Sequence, residues 1–452
     1  MNELDLLNEA DSRGRRYVAS VGERRVYPDA HSLAKLSQFN EALPEIGAKA
    51  IDTLTLLDEV GSDATSVSNG PRYFGFVIGA VLPVAAAAER MVLAWDQCAS
   101  SFQNSPVADV IERRAAHWIL DILDLPRESA VNFGTSASTC ALGCLSVARR
   151  ELPKRQDWNL DTQGLAGAPE IRVVLPQNVH VTVKKALRVL GFGERDITFA
   201  PVDQYGRIEP EKLPRIDSRT ILCLQAGEVN TGEFDLFEPL IKQAKNVNAW
   251  VHVDGAFGLW ARANGRTRSL TDGVEQADSW TTDGHKWLNT PYDTAVGICR
   301  HATAVSEAMN SDAVYSTSSD DSQKNLGLEF SRRARGISMW AALRTLGRAG
   351  VADLVEHNCG QAQRLKDGLE SAGFTIHNRV VLNQVLVSLG SELQTNMLRE
   401  AAEASGEIWF GPTVWQGKTV FRLSLSSWRT TEGDIDRAIK LLTDLRTSIL
   451  KT

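Results

Sequence analysis

The chain has little that would draw it to nucleic acid or to a charged membrane. Its 49 lysines and arginines are outnumbered by 56 aspartates and glutamates, for a formal net charge of −7. That balance excludes a general attraction to phosphate backbones or anionic lipid and leaves room only for a local basic pocket. Long apolar runs are missing too. The most apolar early stretch, YFGFVIGAVLPVAAAA, is broken by Gly79 and Pro83 and is too short to span a bilayer. The opening MNELDLLNEADSRGRRYVAS lacks the basic-then-apolar order of a secretory signal, so the expected location is cytoplasmic. None of the six cysteines forms a C-x-x-C pair, and Cys140 and Cys144 stand four apart in an apolar helical run. That spacing predicts reduced, packed thiols and no metal site. Internal repeats, acidic tails and proline-rich linkers are absent. No G-K-S/T phosphate loop occurs, and a G-x-S-x-G elbow starting at Gly134 fails at Ser138. The GFG at Gly191–Gly193 reads as a helix-ending turn.

What is present is a chain of 452 residues, 43% hydrophobic and 23% charged, ordinary for a globular protein and long enough for two packed domains. Residues 1–65 read as a helical segment, with apolar positions at three-to-four spacing through DAHSLAKLSQFNEALPEIGAKAIDTLTLLDEV. Short apolar strands then alternate with amphipathic helices: VVLP before VTVKKALRVLG, then DITFAPV and TILCLQAGE, then FEPLIKQAKNVN before AWVHVDGAF, and later TAVGICR. This alternation over 66–335 predicts an α/β domain with a mostly parallel sheet covered on both faces. From 336 to 452 the texture changes to two helices with a glycine-containing break, a few strands and a last helix, which predicts a smaller α+β domain. In such a sheet the residues just past the carboxyl ends of the strands carry the chemistry.

Four such places stand out. Asp254 in HVDGAF ends a continuous apolar strand, where a carboxylate either caps a turn or pairs with a protonated ring nitrogen of a cofactor. Gly134, Thr135 and Ser136 precede a long apolar helix, an arrangement suited to a phosphate ester and equally to a plain helix cap. His180 stands at a strand-to-helix junction, where a histidine caps, packs or stacks. QAGEVNTGEFD is a glycine-flanked loop that could be a simple turn. Lys286, in TTDGHKWLNTPYD, follows one strand–helix–strand unit after Asp254 and lies between a histidine and a tryptophan. Together these pieces meet the needs of pyridoxal phosphate: an amine for the aldehyde, a carboxylate for the pyridine nitrogen, an aromatic ring over the cofactor and a cradle for its phosphate.

With those residues in hand, the sequence resembles the group II pyridoxal-phosphate decarboxylases, which act on aromatic amino acids, glutamate or histidine. The similarity runs from PRYFGFV and SPVADVIERRAAHWI to VFRLSLSSWRTTEGDID. It implies the aspartate-aminotransferase fold (fold type I), pyridoxal 5'-phosphate as cofactor, and a homodimer with shared active sites, onto whose partner the N-terminal helical segment packs. By the same resemblance Lys286 is the Schiff-base lysine and His285 a phosphate ligand. Asp254 and Ala256 match the ring-nitrogen partner and the small residue under the ring. His180 matches the stacking histidine, and Gly134 and Thr135 match phosphate contacts. Tyr73, Phe74 and Arg422 fall near the substrate, with Arg422 toward its carboxylate or the active-site loop.

Tyr315 lies in the hydrophilic stretch SDAVYSTSSDDSQKNLG. It reads as a solvent-facing loop tyrosine on its own, and through the resemblance as the acid that returns a proton after CO2 leaves. Glu228 departs from the family's usual Gly-Thr-Thr; it either favours a cationic substrate or bonds backbone amides. The implied activity is α-decarboxylation of an L-amino acid to its amine. Retro-aldol cleavage, transamination, oxygen-coupled aldehyde formation and a non-catalytic scaffold are the rival readings.

Overall fold

The structure, a computed structural model, describes residues 2–311 and 319–451. The chain divides into two compact units. One comprises residues 1–80, 361–377 and 385–452; the other comprises 81–360 with 378–384.

The larger unit is built on a seven-stranded sheet: β1 (Ala130–Gly134), β2 (Arg172–Pro176), β3 (Ile197–Ala200), β4 (Thr220–Gln225), β5 (Trp250–Asp254), β6 (Ser279–Asp283) and β7 (Ala295–Cys299). The order across the sheet is β1-β7-β6-β5-β4-β2-β3. Neighbours run parallel except around β7, which is antiparallel to both β1 and β6. Strands β4 and β6 are buried at every position, which explains why these runs read as continuous rather than alternating. The helices Ala137–Lys154 and Val181–Val189 cover one face. Their Ala141, Leu145, Ala148, Val183 and Leu187 pack on Val173, Leu175, Ile221 and Trp250. The helix predicted after Arg335 forms as Gly336–Ser371, and the glycine-containing break falls at Gly347, which leaves helical geometry at φ 62°.

Four fully buried tryptophans hold β5 and β6 in place, and each indole N–H finds an acceptor. Trp250 donates to Ser279 Oγ (3.1 Å), Trp260 to the Asp283 carbonyl (3.2 Å), Trp280 to the Val274 carbonyl (2.9 Å) and Trp287 to Asn358 Oδ1 (2.9 Å). A satisfied indole delivers its large apolar burial without a polar penalty. The two strands ending in Asp254 and Asp283 are thereby anchored from several sides.

The smaller unit carries a four-stranded sheet in the order β10-β11-β9-β8, from β8 (Thr375–Ile376), β9 (Gln384–Ser388), β10 (Gly411–Trp415) and β11 (Lys418–Ser424). Helices Glu392–Ser405 and Glu432–Ile449 pack together. Each begins with a capping residue and the third helical residue bonded reciprocally, Ser391 with Gln394 and Thr431 with Asp434. At the N-terminus, the helix Glu3–Ser20 buries none of its residues. Among the described residues no helix is long and apolar enough to cross a membrane.

Candidate active site

Parallel strands bring their carboxyl ends to one edge of the sheet, so residues far apart in sequence meet there. The edge is stitched by backbone bonds: Ala226 N–H to the Asp254 carbonyl (2.8 Å), Gly255 N–H to the Thr281 carbonyl (3.0 Å) and Asp283 N–H to the Ala256 carbonyl (2.8 Å). The loops after β4, β5 and β6 are thus one bonded surface.

Lys286 sits on the turn after β6, with Nζ 3.0 Å from Asp283 Oδ2; the lysine side chain is 21% exposed and the aspartate 3%. Asp283 is the hub of this turn. Its Oδ1 accepts the Ala137 N–H at 2.6 Å, at the start of the helix that follows Gly134–Ser136. The same oxygen lies 3.7 Å from His285 Nε2. His285 stacks on Tyr292 with ring centroids 4.3 Å apart and accepts the Thr294 N–H at Nδ1 (3.4 Å). Burial pushes the His285 imidazole below its ordinary pKa, with Asp283 pulling the other way, so the ring is neutral at physiological pH. Trp287 is 1% exposed and points away into the core toward Asn358. It anchors the turn from behind while Lys286 faces the open side.

Asp254, half-buried, ends β5 opposite Gln225 and Thr281 on its two neighbours. Its Oδ1 accepts the Ala256 N–H at 3.1 Å. Among the described residues nothing bonds its other oxygen, so one lone-pair set remains to meet a donor from outside the chain. The small Ala256 is two residues on and keeps that space clear. On the far side, Gly134 ends β1; a Cβ there would come within 2.7 Å of the buried Cys140 Sγ. Thr135 Oγ1 exchanges a bond with Thr139 Oγ1 (2.8 Å), and Ser136 Oγ caps the helix at Thr139 N (3.4 Å). Hydroxyls at a helix start with the helix dipole behind them suit an anion. His180 caps the helix after β2, with Nδ1 2.7 Å from Thr182 Oγ1.

Glu228 settles between its two readings on the side of backbone bonding. It is 1% exposed, and its Oε2 accepts the Asn230 and Thr231 N–H groups (both 2.7 Å) and the Thr231 hydroxyl (3.1 Å), while Oε1 accepts from Asn230 Nδ2 (3.1 Å). Burial raises its pKa despite these donors. It shapes the loop after β4; four donors leave its carboxylate little capacity for a substrate.

The remaining sequence candidates belong to the smaller unit, apart from Tyr315. In the smaller unit Tyr73 is 7% exposed and stacked on Trp409 (4.9 Å between centroids), and Phe74 is 1% exposed. The exposed aromatic of that segment is Phe76, at 59% and φ 51°, which the sequence did not single out. Arg422 is half-buried on β11, opposite Gly411. Tyr315 lies outside the described residues. The role of Asp283 as hub also escaped the sequence reading; its place at the strand end, three residues before the lysine, was the available signal.

A family model described as the pyridoxal-dependent decarboxylase conserved domain matches residues 45–389. An aromatic-L-amino-acid decarboxylase from Bacillus atrophaeus is 25% identical, covering 74% of this chain and 71% of that protein. A phenylacetaldehyde synthase from a Rosa hybrid cultivar is 24% identical, covering 84% of this chain and 81% of that one. Among solved structures, the Oryza sativa TDC with PLP and tryptamine superposes with a TM-score of 0.91 over 99% of both chains at 21% identity, a likeness of fold.

Proposed function

The chain belongs to the pyridoxal-dependent decarboxylase family, and from that premise we propose that it converts an L-amino acid to its amine and CO2 at the Lys286–Asp254 edge of the sheet. It is a carboxy-lyase with pyridoxal phosphate as cofactor. The observation that carries the residue assignment is the Asp254 carboxylate, one oxygen committed to Ala256 N–H and the other without a partner among the described residues, on the same bonded edge as a lysine that opens outward from a buried turn.

The residues present fit the cofactor. Lys286 would supply the amine that takes its aldehyde carbon. Asp254 would hold a proton on its ring nitrogen, Ala256 would leave room beneath the ring, and His180 would cover it. Gly134, Thr135 and His285 would receive the phosphate. When bound, pyridoxal phosphate draws electrons from a bond at the α-carbon of an amino acid. Around it, the neutral His285 can donate from one ring nitrogen while accepting the Thr294 N–H at the other. Asp283 keeps the lysine turn and the start of the Ala137 helix in register. Tyr73, Phe74 and Arg422 are assigned to substrate, and Tyr315 to proton return at the α-carbon, on family resemblance.

A homodimer in the cytoplasm completes the reading. The support for the dimer is the apolar surface of the N-terminal segment, where Leu4, Leu7, Leu43 and Ile46 are 71%, 56%, 95% and 88% exposed and a partner subunit would cover them.

Borohydride reduction of the loaded protein followed by peptide mapping should place the label on Lys286, and Lys286→Ala should remain unlabelled; a label elsewhere refutes the assignment. An amino acid panel with product identification then separates outcomes. Amine and CO2 support decarboxylation, and an aldehyde with CO2 would place the chain with the synthase relative. Aldehyde plus glycine would indicate retro-aldol cleavage.

A further inference from the structure

Behind Asp254 the sheet carries polar atoms that the reaction does not use. His252 is two residues earlier on β5 and on the same face; it is fully buried. In register beside it on β6 is Ser279, whose Oγ lies 2.9 Å from His252 Nδ1 and accepts the Trp250 N–H at 3.1 Å. Next on that face of β6 is Thr281, also fully buried and in register beside Asp254. Among the described residues neither His252 Nε2 nor Thr281 Oγ1 has a hydrogen-bond partner. The helix Ala137–Lys154 lies over this face: Gly297, the register partner of Thr281 on β7, meets its Cys140 and Cys144.

The hydrogen-bond inventory fixes the histidine's tautomer. Trp250 can only donate, so Ser279 Oγ accepts from it and has its own hydrogen to place. Given to His252 Nδ1, that hydrogen leaves a single outstanding group, the Nε2–H. The reverse arrangement would orphan both the Ser279 hydrogen and the Nε2 lone pair. Burial holds the imidazole neutral, with a pKa pushed down to about 4. The core therefore contains a buried N–H and a buried hydroxyl on one face, the first two residues before Asp254 on β5 and the second in register beside Asp254 on β6. A buried polar group left unpaired costs about 1–3 kcal/mol, and such groups are normally met by a water making about three bonds.

We propose that one buried water joins His252 Nε2, Thr281 Oγ1 and Asp254, so that His252 and Thr281 are positioning residues for the carboxylate. The water accepts from His252 Nε2–H and from the Thr281 hydroxyl, and donates to Asp254. With Ala256 N–H on one side and this water behind, the carboxylate is held in one rotamer and its remaining oxygen faces the open edge. The inference rests on the reading of Asp254 given under Proposed function, and it extends the site one layer into the core along Trp250, Ser279 and His252.

The test uses the full chain loaded with pyridoxal phosphate, reading its visible spectrum and the rate of cofactor release after dilution. Thr281→Val keeps the shape and removes the hydroxyl; it should release cofactor roughly tenfold faster, the equivalent of one hydrogen bond. His252→Leu should do the same, and His252→Gln, whose amide can donate from nearly the Nε2 position, should recover most of the retention. A high-resolution crystal structure should show density for the water in the wild type and none in Thr281→Val. Asp254→Asn is the reference. If it alters spectrum and retention while Thr281→Val and His252→Leu match the wild type, the water link is refuted and the reading of Asp254 stands. If Asp254→Asn itself matches the wild type, that reading fails and the present inference with it. Equal loss in His252→Leu and His252→Gln, with Thr281→Val unchanged, would also overturn the link, because packing alone would then explain the histidine.

Discussion

The pair most exposed to a single substitution is Glu112 with Arg332. Their side chains are 0% and 3% exposed, and Arg332 donates from both Nη atoms to the two carboxylate oxygens, at 3.0 and 2.6 Å. Gly336 N–H adds a third donor to Glu112 (2.9 Å), and Arg332 gives a further bond to Gln323 Oε1 (3.0 Å). Gln323 in turn bonds Phe133 N–H (3.3 Å) and the Val131 carbonyl (3.1 Å), so it occupies the open side of the edge strand β1 one residue before Gly134. Glu112→Gln removes the charge but not the volume. It leaves a buried guanidinium uncompensated and turns an amide N–H toward an Arg332 donor. Breaking one side of such a pair costs about 3–5 kcal/mol, a drop on the order of 5–10 °C in melting temperature for a unit of this size. The double variant Glu112→Met with Arg332→Met removes both charges and leaves the Gly336 N–H and the Arg333 carbonyl to be satisfied, so it should be less destabilised than the sum of the single variants Glu112→Met and Arg332→Met. Calorimetric scans of the wild type, Glu112→Met, Arg332→Met and the double variant give the cycle, and cofactor release from Glu112→Gln should quicken as β1 loosens at Gly134. A melting temperature for Glu112→Gln within about 2 °C of the wild type, or a double variant worse than the sum, would refute the reasoning.

Other perturbations act on the same edge. A methyl group at Gly258 would overlap the Ala226 carbonyl oxygen and press on Gly227 Cα; backbone cannot yield as a side-chain tip can, so Gly258→Ala should cost a few kcal/mol and weaken cofactor retention, measured by scanning calorimetry and absorbance. Glu228→Gln keeps one acceptor oxygen and sets an amide against the Asn230 or Thr231 N–H; substrate turnover should fall through a disordered loop, while the ranking of cationic against neutral amino acids stays unchanged, and a shift in that ranking would restore the substrate-binding reading. Asp235, 3% exposed, accepts the Ile208 and Gln225 N–H groups (both 2.7 Å), yet burial raises its pKa to about 7 from 3.8. A raised carboxyl pKa contributes stability below pH 4 that is lost as pH climbs to about 7, here about 4 kcal/mol. The stability of the wild type relative to Asp235→Asn should therefore decline across that window, and a constant difference would show that the two N–H bonds hold the carboxyl at its ordinary value.

Much of this site was legible because its signals are local. TILCLQ and WVHVD are β-branched and apolar without alternation, which marks strands buried on both faces, and the polar residue ending such a run is conspicuous. DGHKW combined two residues with opposite preferences in one turn. The illegible parts depend on partners distant in sequence or on direction. Trp287 is explained by Asn358, 71 residues on, and no local pattern names that partner. Strand β1 was hidden inside the NFGTSAS motif, and β10 reads GPTVW, a run opened by two residues that disfavour strands. Tyr73 and Phe74 share their apolar character with Phe76, and no local pattern separates the one that faces outward from the two that pack inward.

Asp283 shows why a motif can be recognised and its mechanics still missed. A carboxylate 3% exposed needs compensation, and it receives three kinds: a helix-start N–H at 2.6 Å, an ammonium at 3.0 Å and an imidazole edge at 3.7 Å. Each comes from a different part of the site, namely the turn after β1, the lysine and the histidine beside it. The carboxylate is therefore the tie that makes an anion cradle and a reactive amine parts of one rigid turn. Its replacement by asparagine would keep the N–H bond and discard the ion pair. Replacement by alanine would discard both. The two substitutions consequently separate the tie to the helix from the tie to the lysine, a distinction that the bare letters D-G-H-K do not contain.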